Sequence, residues 1–151
     1  MKAHPRPTLG CLSILLAPMA GSAAQLPVPD PAFGGPDGIA RVAFDLAGAQ
    51  RDIGATATAL ADGRLLLVGT AEVDSSTTDI AFARLAAADG SLDPAFGPDD
   101  DGHALAGLAP MQAVSDVAQA SNGLLYLGMS PNDVAVVGRI DADGAPDPTF
   151  N

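Results

Sequence analysis

The chain has 151 residues, enough for one domain with a buried core, and a formal net charge of −11 at pH 7. Binding to phosphate groups requires cations, so this charge argues against nucleic acid or an anionic membrane as a partner. A single cysteine, Cys11, excludes an internal disulfide. The stability of the fold therefore has to come from packing.

The first 24 residues have the features of a secretory signal peptide. Lys2 and Arg6 make a basic start, Leu9–Ala17 is an apolar run, and Ser22-Ala23-Ala24 supplies the small residues of a cleavage site. The apolar run is about half of the roughly 20 residues that a membrane-spanning helix needs. We therefore expect export to the periplasm or the cell exterior, with cleavage after residue 24 and no membrane span. A lipoprotein anchored at Cys11 is a weaker alternative, because no apolar run precedes that cysteine.

Three sequence landmarks recur in the same order along the rest of the chain. They are an Asp-Pro-Xaa-Phe motif, a turn followed by an apolar strand, and an arginine-bearing strand that ends in an Asp-Gly turn. The Asp-Pro-Xaa-Phe motif occurs at residues 30–33, 93–96 and 147–150. A spacing of about 55–60 residues indicates an internal repeat. We assign the first unit to residues 25–91, the second to residues 92–145, and the start of a third, truncated unit to residues 146–151.

Each complete unit is predicted to contain four short strands. In the first unit the predicted strands are residues 39–44, 55–61, 64–69 and 80–86, and in the second they are residues 103–106, 114–119, 124–128 and 134–141. Asp62-Gly63 and Asn122-Gly123 predict two-residue hairpin loops with type I′ turns, in which both central residues have positive φ. No segment keeps a helical period over ten residues.

The predicted strands are apolar on both faces. In residues 64–69, Leu66 and Val68 point to one side and Leu65 and Leu67 to the other. Such a sheet has to be covered on both faces, and in the absence of helices the cover has to be other sheets. The predicted fold class is all-β, with about two four-stranded antiparallel propeller-type blades that form an incomplete β-propeller. A β-sandwich is the alternative.

Residues 57–69, 82–97 and 141–150 resemble the delta-60 repeat, a bacterial repeat of secreted and surface proteins that is expected to form β-propeller blades. The resemblance extends over nearly all of the chain after residue 24. The second unit departs from the pattern, since Asn122 replaces the usual aspartate and Val137-Gly138 replaces an aromatic-small pair. The resemblance implies a fold and an exported location, and it brings no catalytic motif.

His103 is the single histidine after residue 24. A Ser-His-Asp site would place this base between a nucleophile and an acid, but the chain has no Gly-Xaa-Ser-Xaa-Gly elbow. Zinc needs three or four nitrogen or sulfur ligands, which one histidine without cysteine does not supply. We therefore expect a surface histidine, no zinc site and no cofactor other than the calcium considered next.

The densest charge lies at Asp99, Asp100 and Asp101, which are followed by Gly102. Clustered carboxylates are the hard oxygen ligands that calcium prefers, although the spacing of an EF-hand loop is absent. These three aspartates are the candidate calcium ligands. The favoured interpretation is a solvated loop without metal.

Two residue types recur at equivalent positions of the units. Arg84 and Arg139 lie within predicted strands, and Phe33, Phe96 and Phe150 each close an Asp-Pro-Xaa-Phe motif. We favour arginines that tie strand to turn through a repeated Arg–Asp pair, with ligand-binding cations in a central channel as the alternative. The periodic phenylalanines predict packing between units rather than a recognition platform.

Three functional hypotheses follow. The favoured one is an exported, non-enzymatic repeat protein that binds an unknown protein or glycan, or serves as a surface scaffold. The second is a secreted propeller-based hydrolase or lyase, which needs polar side chains converging at one end of the strands. The third is a truncated repeat protein without independent function, because two blades do not close a ring of four to eight.

The predicted blades also suggest self-association. Two sheets cover only the faces between them, and an apolar face left in solvent usually marks a contact surface. The candidates for exposure on these outer faces are Leu66, Val68, Val136 and Ile140. We therefore expect either assembly of several chains into a closed ring or aggregation.

Overall fold

The computed structural model describes residues 28–46, 51–108, 114–130 and 134–150. The predicted signal peptide and Cys11 lie outside these residues. The described residues form seven β-strands and no helix, which confirms the all-β prediction. Accordingly, this part of the chain contains no helix that is long and apolar enough to cross a membrane.

The strands form two antiparallel sheets, each with its strands in chain order. Sheet A contains β1 (Asp52–Ala59), β2 (Leu65–Glu72), β3 (Thr78–Leu85) and β4 (His103–Leu105). Sheet B contains β5 (Val114–Gln119), β6 (Leu125–Met129) and β7 (Val136–Ile140). These meanders follow from short β-branched and apolar runs that are separated by turns containing Gly, Asp, Asn or Ser.

The two sheets share one pairing register. Leu66 of β2 pairs with Arg84 of β3, and at the equivalent place Tyr126 of β6 pairs with Arg139 of β7. Each sheet also has an irregularity at the same place in the pairing of its first two strands, after Gly54 in sheet A and after Val114 in sheet B. The sequence repeat is thus a structural repeat, and each residue of sheet B has a counterpart in β1–β3.

The sheets stack with unlike faces in contact. We call forward the face of sheet A that carries Leu66, Val68 and Phe82, and back the face that carries Leu67, Ala81 and Ala83. The forward face of sheet A packs on Leu125, Leu127 and Ile140 of sheet B. By the shared register those three residues form the back face of sheet B, and Tyr126, Val137 and Arg139 form its forward face. One forward face therefore lies on one back face.

Stacking of this kind is the arrangement of propeller blades. The first strand of sheet B, β5, lies beside β1, while β4 occupies the opposite edge of sheet A. The chain thus passes from the outer strand of one sheet to the inner strand of the next, as in consecutive blades around an axis. The structure supports the predicted incomplete propeller and not the sandwich alternative.

Two predicted strands are placed differently in the structure. Residues 39–44 form no strand, and Val42 and Phe44 lie over the back face of sheet A around a small cavity lined also by Leu67 and Ala81. Residues 103–106 were predicted to open the second unit, but β4 pairs with the outer edge of β3 instead. The physical reason is that β2 leaves one hydrogen-bonding edge of β3 free for β4, whereas residues 39–44 lie over the back face of sheet A and pair with none of the described strands.

The hairpins were predicted correctly, but their turn type was wrong. The amide of Gly63 donates to the carbonyl of Leu60, the amide of Leu60 donates to the carbonyl of Arg64, and φ is positive only at Gly63 (86°). This is a three-residue loop in which a type I turn ends on a left-handed glycine, rather than a type I′ turn. The Gly123 loop has the same geometry, with a φ of 86° at the glycine.

The predicted exposure of four apolar residues was wrong. Leu66, Val68 and Ile140 are buried in the core, and Val136 is partly buried against it. Leu66 and Val68 lie on the forward face of sheet A, while Val136 and Ile140 lie on the back face of sheet B, so all four face the gap between the sheets. Alternation along a strand separates its two faces but does not say which of them meets the neighbouring sheet.

Candidate functional site

A cluster of charged residues joins the end of β3 to the Asp-Pro-Xaa-Phe motif that follows it. Asp93 accepts hydrogen bonds from the guanidinium groups of Arg64 and Arg84, the latter at 2.7 Å between Nε and Oδ2. Arg64 also pairs with Asp62 of the preceding hairpin loop. We call this arrangement the first clasp. It confirms the predicted Arg–Asp pair that ties strand to turn.

The first clasp also reaches the neighbouring sheet. Nη2 of Arg84 donates to the carbonyl of Ala95 at 2.7 Å, and Nη1 donates to the carbonyl of Ala142, in the turn after β7, at 3.3 Å. The Arg84 guanidinium lies 4.7 Å from the centroid of the Phe96 ring, a favourable cation–π geometry. Phe96 is itself buried in the core between the sheets. The predicted packing role of this phenylalanine is confirmed.

A second clasp occupies the equivalent place in sheet B. Arg139 Nε donates to Asp147 Oδ2 at 2.8 Å, and the Arg139 guanidinium lies 4.9 Å from the centroid of the Phe150 ring. The Tyr126 ring meets Phe150 edge to face, with centroids 5.7 Å apart. The position of Arg64 is taken here by Leu124, so Asp147 has one arginine where Asp93 has two.

Hydrogen bonds in both clasps favour the ionised carboxylates. The pKa of Asp93 is lowered by the backbone amide of Ala95 and then by the two arginines. The pKa of Asp147 is lowered by the hydroxyl and the backbone amide of Thr149 and by Arg139. Both clasps are therefore ion pairs at neutral pH.

The forward face of sheet B is the main difference between the two repeats. Its counterpart in sheet A is covered by sheet B, but this face carries a shallow groove lined by Ala118, Tyr126, Gly128 and Val137. Val137 is 58% exposed, while its counterpart Phe82 is 0% exposed. The lining of the groove is mostly apolar, Asp116 is its charged member, and Arg139 is the pairing partner of Tyr126 on β7. Its chemistry suits binding to another apolar surface with a polar rim.

His103 lies on β4 beside one of the aspartates suggested for calcium. Its Nδ1 is 3.5 Å from Asp101 Oδ1, its ring meets Phe44 edge to face, and its Nε2 is buried without a hydrogen-bond partner. A histidine base in a Ser-His-Asp site uses its second nitrogen to accept a proton from the nucleophile. Among the described residues no such group reaches Nε2. The expected histidine near acids is found, but its side chain is only 20% exposed.

The structure does not gather the three candidate calcium ligands into one site. Asp99, Asp100 and Asp101 are exposed, Asp100 has a positive φ of 54°, and Asp101 accepts the amide of His103 at 2.9 Å. Within the described ranges, no group of three or more histidine, cysteine or acidic side chains is arranged to hold a metal ion. Calcium binding at Asp99–Asp101 stays a prediction, without support from the positions of these carboxylates.

Sequence reasoning missed two buried acidic residues. The Asp79 carboxylate accepts the amides of Ile80, Gly107 and Leu108, and so fixes the segment after β4. Glu72 is buried and pairs with Arg51 at 3.3 Å. The available signal was a charged residue at either end of an apolar strand. Such positions usually cap the backbone or pair locally.

The comparisons with known proteins agree with this architecture. Residues 60–96 match the model of a family described as "Domain of unknown function (DUF5122) beta-propeller". The matched stretch contains the Gly63 loop, β2, β3 and the first clasp. A search of curated proteins and a search of solved structures each found no match. The family match, the two antiparallel sheets and their stacking define a β-propeller-type repeat fold.

Proposed function

We propose that this chain is an exported, non-enzymatic repeat module of the delta-60 type whose role is to bind another macromolecule. The leader features of residues 1–24 support export, and the recurring motifs support the repeat type. The family match over residues 60–96 supports a propeller-type module. The net charge of −11 favours a protein or glycan partner over an anionic polymer.

The observation that carries this proposal is how the repeated residues are used. Arg84, Asp93 and Phe96 bond to one another or pack at the junction of the two sheets. Arg139 and Asp147 repeat that arrangement in sheet B. The recurring polar groups thus build the stack of sheets and do not line a common cleft. What the stack offers to a partner is the exposed forward face of sheet B.

Export is tested by expressing the full chain in a bacterial host, separating the cell fractions and measuring the intact mass. We expect a periplasmic or secreted protein that starts at or near Gln25. The matched control is Leu15→Arg, which interrupts the apolar run and should retain an uncleaved chain inside the cell. A wild-type chain that keeps Met1 and stays in the cytoplasm would overturn the export half of the proposal.

Binding is tested by presenting the purified protein to a protein array and to a glycan array. We expect Val137→Asp to abolish any signal, because Val137 lies in the groove on the forward face of sheet B. Ile53→Asp is the control, since Ile53 is an exposed apolar residue of the other sheet. A signal that survives Val137→Asp and is lost with Ile53→Asp would move the binding surface to sheet A.

A further inference from the structure

We propose that a second copy of this chain docks on sheet B and completes it. The back side of the incoming sheet A covers the forward face of sheet B, and incoming residues 39–44 add a fourth strand along β7. This inference deepens the binding role proposed above by naming the partner. It rests on the way the two sheets of one chain already fit together.

The contact between the faces repeats a contact that exists within the chain. The forward face of sheet A binds the back face of sheet B, and this interface is heterologous because two different surfaces meet. The faces that no other sheet covers are the forward face of sheet B and the back face of sheet A, the latter overlain in part by Val42 and Phe44. The contact within the chain also joins a forward face to a back face. A second copy whose sheet A lies on sheet B, in the orientation that the two sheets have within one chain, therefore makes the same kind of contact.

The edge contact is also present once within the chain. On β3, the Arg84 amide donates to the carbonyl of Gly102 at 3.0 Å, next to β4. On β7, the Arg139 carbonyl accepts the amide of Asp147, which lies beyond the outer edge. Because the amide and carbonyl of one strand residue point to the same edge, the Arg139 amide also faces outward. No strand among the described residues pairs with that edge.

The segment that would fill the β7 edge is identified by its contacts. A Cβ added at Gly144 would lie 2.7 Å from the Cβ of Ala104, on β4, and 3.3 Å from Phe96. A Cβ added at Gly90, the counterpart of Gly144, would lie 2.9 Å from the Cβ of Ala40 and 3.2 Å from Phe33. Residues 33–40 therefore relate to sheet A as residues 96–104 relate to sheet B.

It follows that residues 39–44 occupy the place of an outer strand whose own sheet is not among the described residues. Such a sheet would lie on the back face of sheet A. This is the place that sheet B of the other copy occupies in the proposed assembly. Face and edge are thus supplied by one partner in one orientation. Repeated heterologous contacts close into a ring when the rotation between copies closes, and two to four chains with the two described sheets each would give the four to eight blades of a propeller.

The junction between sheet B of one copy and sheet A of the incoming copy has room for a single Asp-Pro-Xaa-Phe motif. Two motifs compete for it, residues 147–150 of the first copy and residues 30–33 of the incoming copy. Asp147 and Phe150 already hold the clasp on Arg139, whereas Phe33 of the incoming chain is only half-buried against Gly90. We assign the junction to residues 147–150. Docking then releases residues 30–33 of the incoming copy from sheet A.

The test is sedimentation velocity of the purified protein over the micromolar range. We expect reversible association of the wild type. Val137→Asp should weaken it about tenfold or more, since the charge would be buried without a partner. Val28→Asp is the control for exposed apolar residues and should leave association unchanged, since Val28 is 78% exposed and precedes the segment that docking releases. Both sites are exposed in the single chain, so both variants should keep its near-ultraviolet circular dichroism.

A second pair of variants tests the edge contact. The Ala106 amide donates to the carbonyl of Ile80 on β3, and its counterpart in the N-terminal segment is the amide of Val42. Val42→Pro removes that donor and should weaken association, while Arg41→Pro removes the neighbouring amide, which points the other way, and should not. Phe150→Ala should weaken association and Phe33→Ala should not.

A wild type that is a monomer throughout this range would overturn the proposal. So would association that is insensitive to Val137→Asp, including irreversible aggregation. These results can be distinguished from a failure of the proposed function. An exported protein that stays monomeric would support the export proposal and contradict the assembly proposal. An uncleaved cytoplasmic protein that associates as described would contradict the export proposal and support the assembly proposal.

Discussion

Sheet A and sheet B carry the same repeat and differ in what covers them. Phe96 is 1% exposed between the sheets, while its counterpart Phe150 is 36% exposed on the forward face of sheet B. The Arg–Asp bonds are nevertheless alike, at 2.7 Å for Arg84 and Asp93 and 2.8 Å for Arg139 and Asp147. The repeat therefore determines turns and clasps locally, and the neighbouring sheet determines burial.

The largest expected difference between the sheets is in the packing of β3 and β7. Phe82→Ala should lower the free energy of unfolding by about 3–5 kcal/mol, because it opens a cavity between the sheets. Val137→Ala, at the counterpart position, should cost about 0.5 kcal/mol or less in the monomer. Urea unfolding at low protein concentration measures both. Equal costs would show that the forward faces of the two sheets are covered alike.

The clasps should differ by a smaller amount. Arg84→Met removes the donor to the partly buried carbonyl of Ala95 and one hydrogen bond to Asp93, which should cost about 2 kcal/mol. Arg139→Met removes a more exposed pair and should cost about 1 kcal/mol or less. The same urea experiment compares the two variants. A larger cost at Arg139 would contradict the assignment of sheet B as the uncovered sheet.

Acid should weaken both clasps. The pKa values of Asp93 and Asp147 are lowered in the folded chain, so their stabilisation is complete above the unfolded-state pKa of about 4. It is lost as the pH falls through the lowered folded-state values. We expect the urea concentration at the unfolding midpoint to decrease as the pH falls below about 4. This pH dependence should be weaker in Asp93→Asn and in Asp147→Asn. An unchanged pH profile in both variants would show that the clasps contribute nothing to acid stability.

The hairpin loops should show no difference between the sheets. Gly63 and Gly123 both have a φ of 86°, and a Cβ at either position would meet no atom within 4 Å. Replacing either glycine by alanine should therefore cost about 1 kcal/mol from backbone conformation alone. Thermal unfolding of the two variants measures this. A clearly different loss of stability in the two variants would mean that packing between the sheets also affects the loops.

Local patterns predicted the repeated elements well. The residues of β5 are those that were predicted, and the periodicity of Arg84 and the Asp-Pro-Xaa-Phe motif predicted the first clasp. These features depend on alternation, turn residues and complementary charges that are close in sequence.

Placement between sheets was not predictable in the same way. The strand predicted at residues 103–106 was assigned to the wrong sheet, and Leu66 was placed on an outer face, because both depend on contacts with distant residues. The hydrogen bonds from Gly107 and Leu108 to Asp79 have no sequence signature either, since they link positions 28 and 29 residues apart. The groove on sheet B follows only from the knowledge of which faces meet.

Amide hydrogen exchange at Arg84 and Arg139 tests the central claim most directly. The claim is that these residues hold equivalent places, with the edge beyond Arg84 filled by β4 and the edge beyond Arg139 left for a second chain. At low protein concentration we predict slow exchange at the Arg84 amide and fast exchange at the Arg139 amide. As the concentration rises, the Arg139 amide should become protected in step with association. Slow exchange at Arg139 in a monomer, or exchange there that stays fast in the assembled protein, would contradict the account.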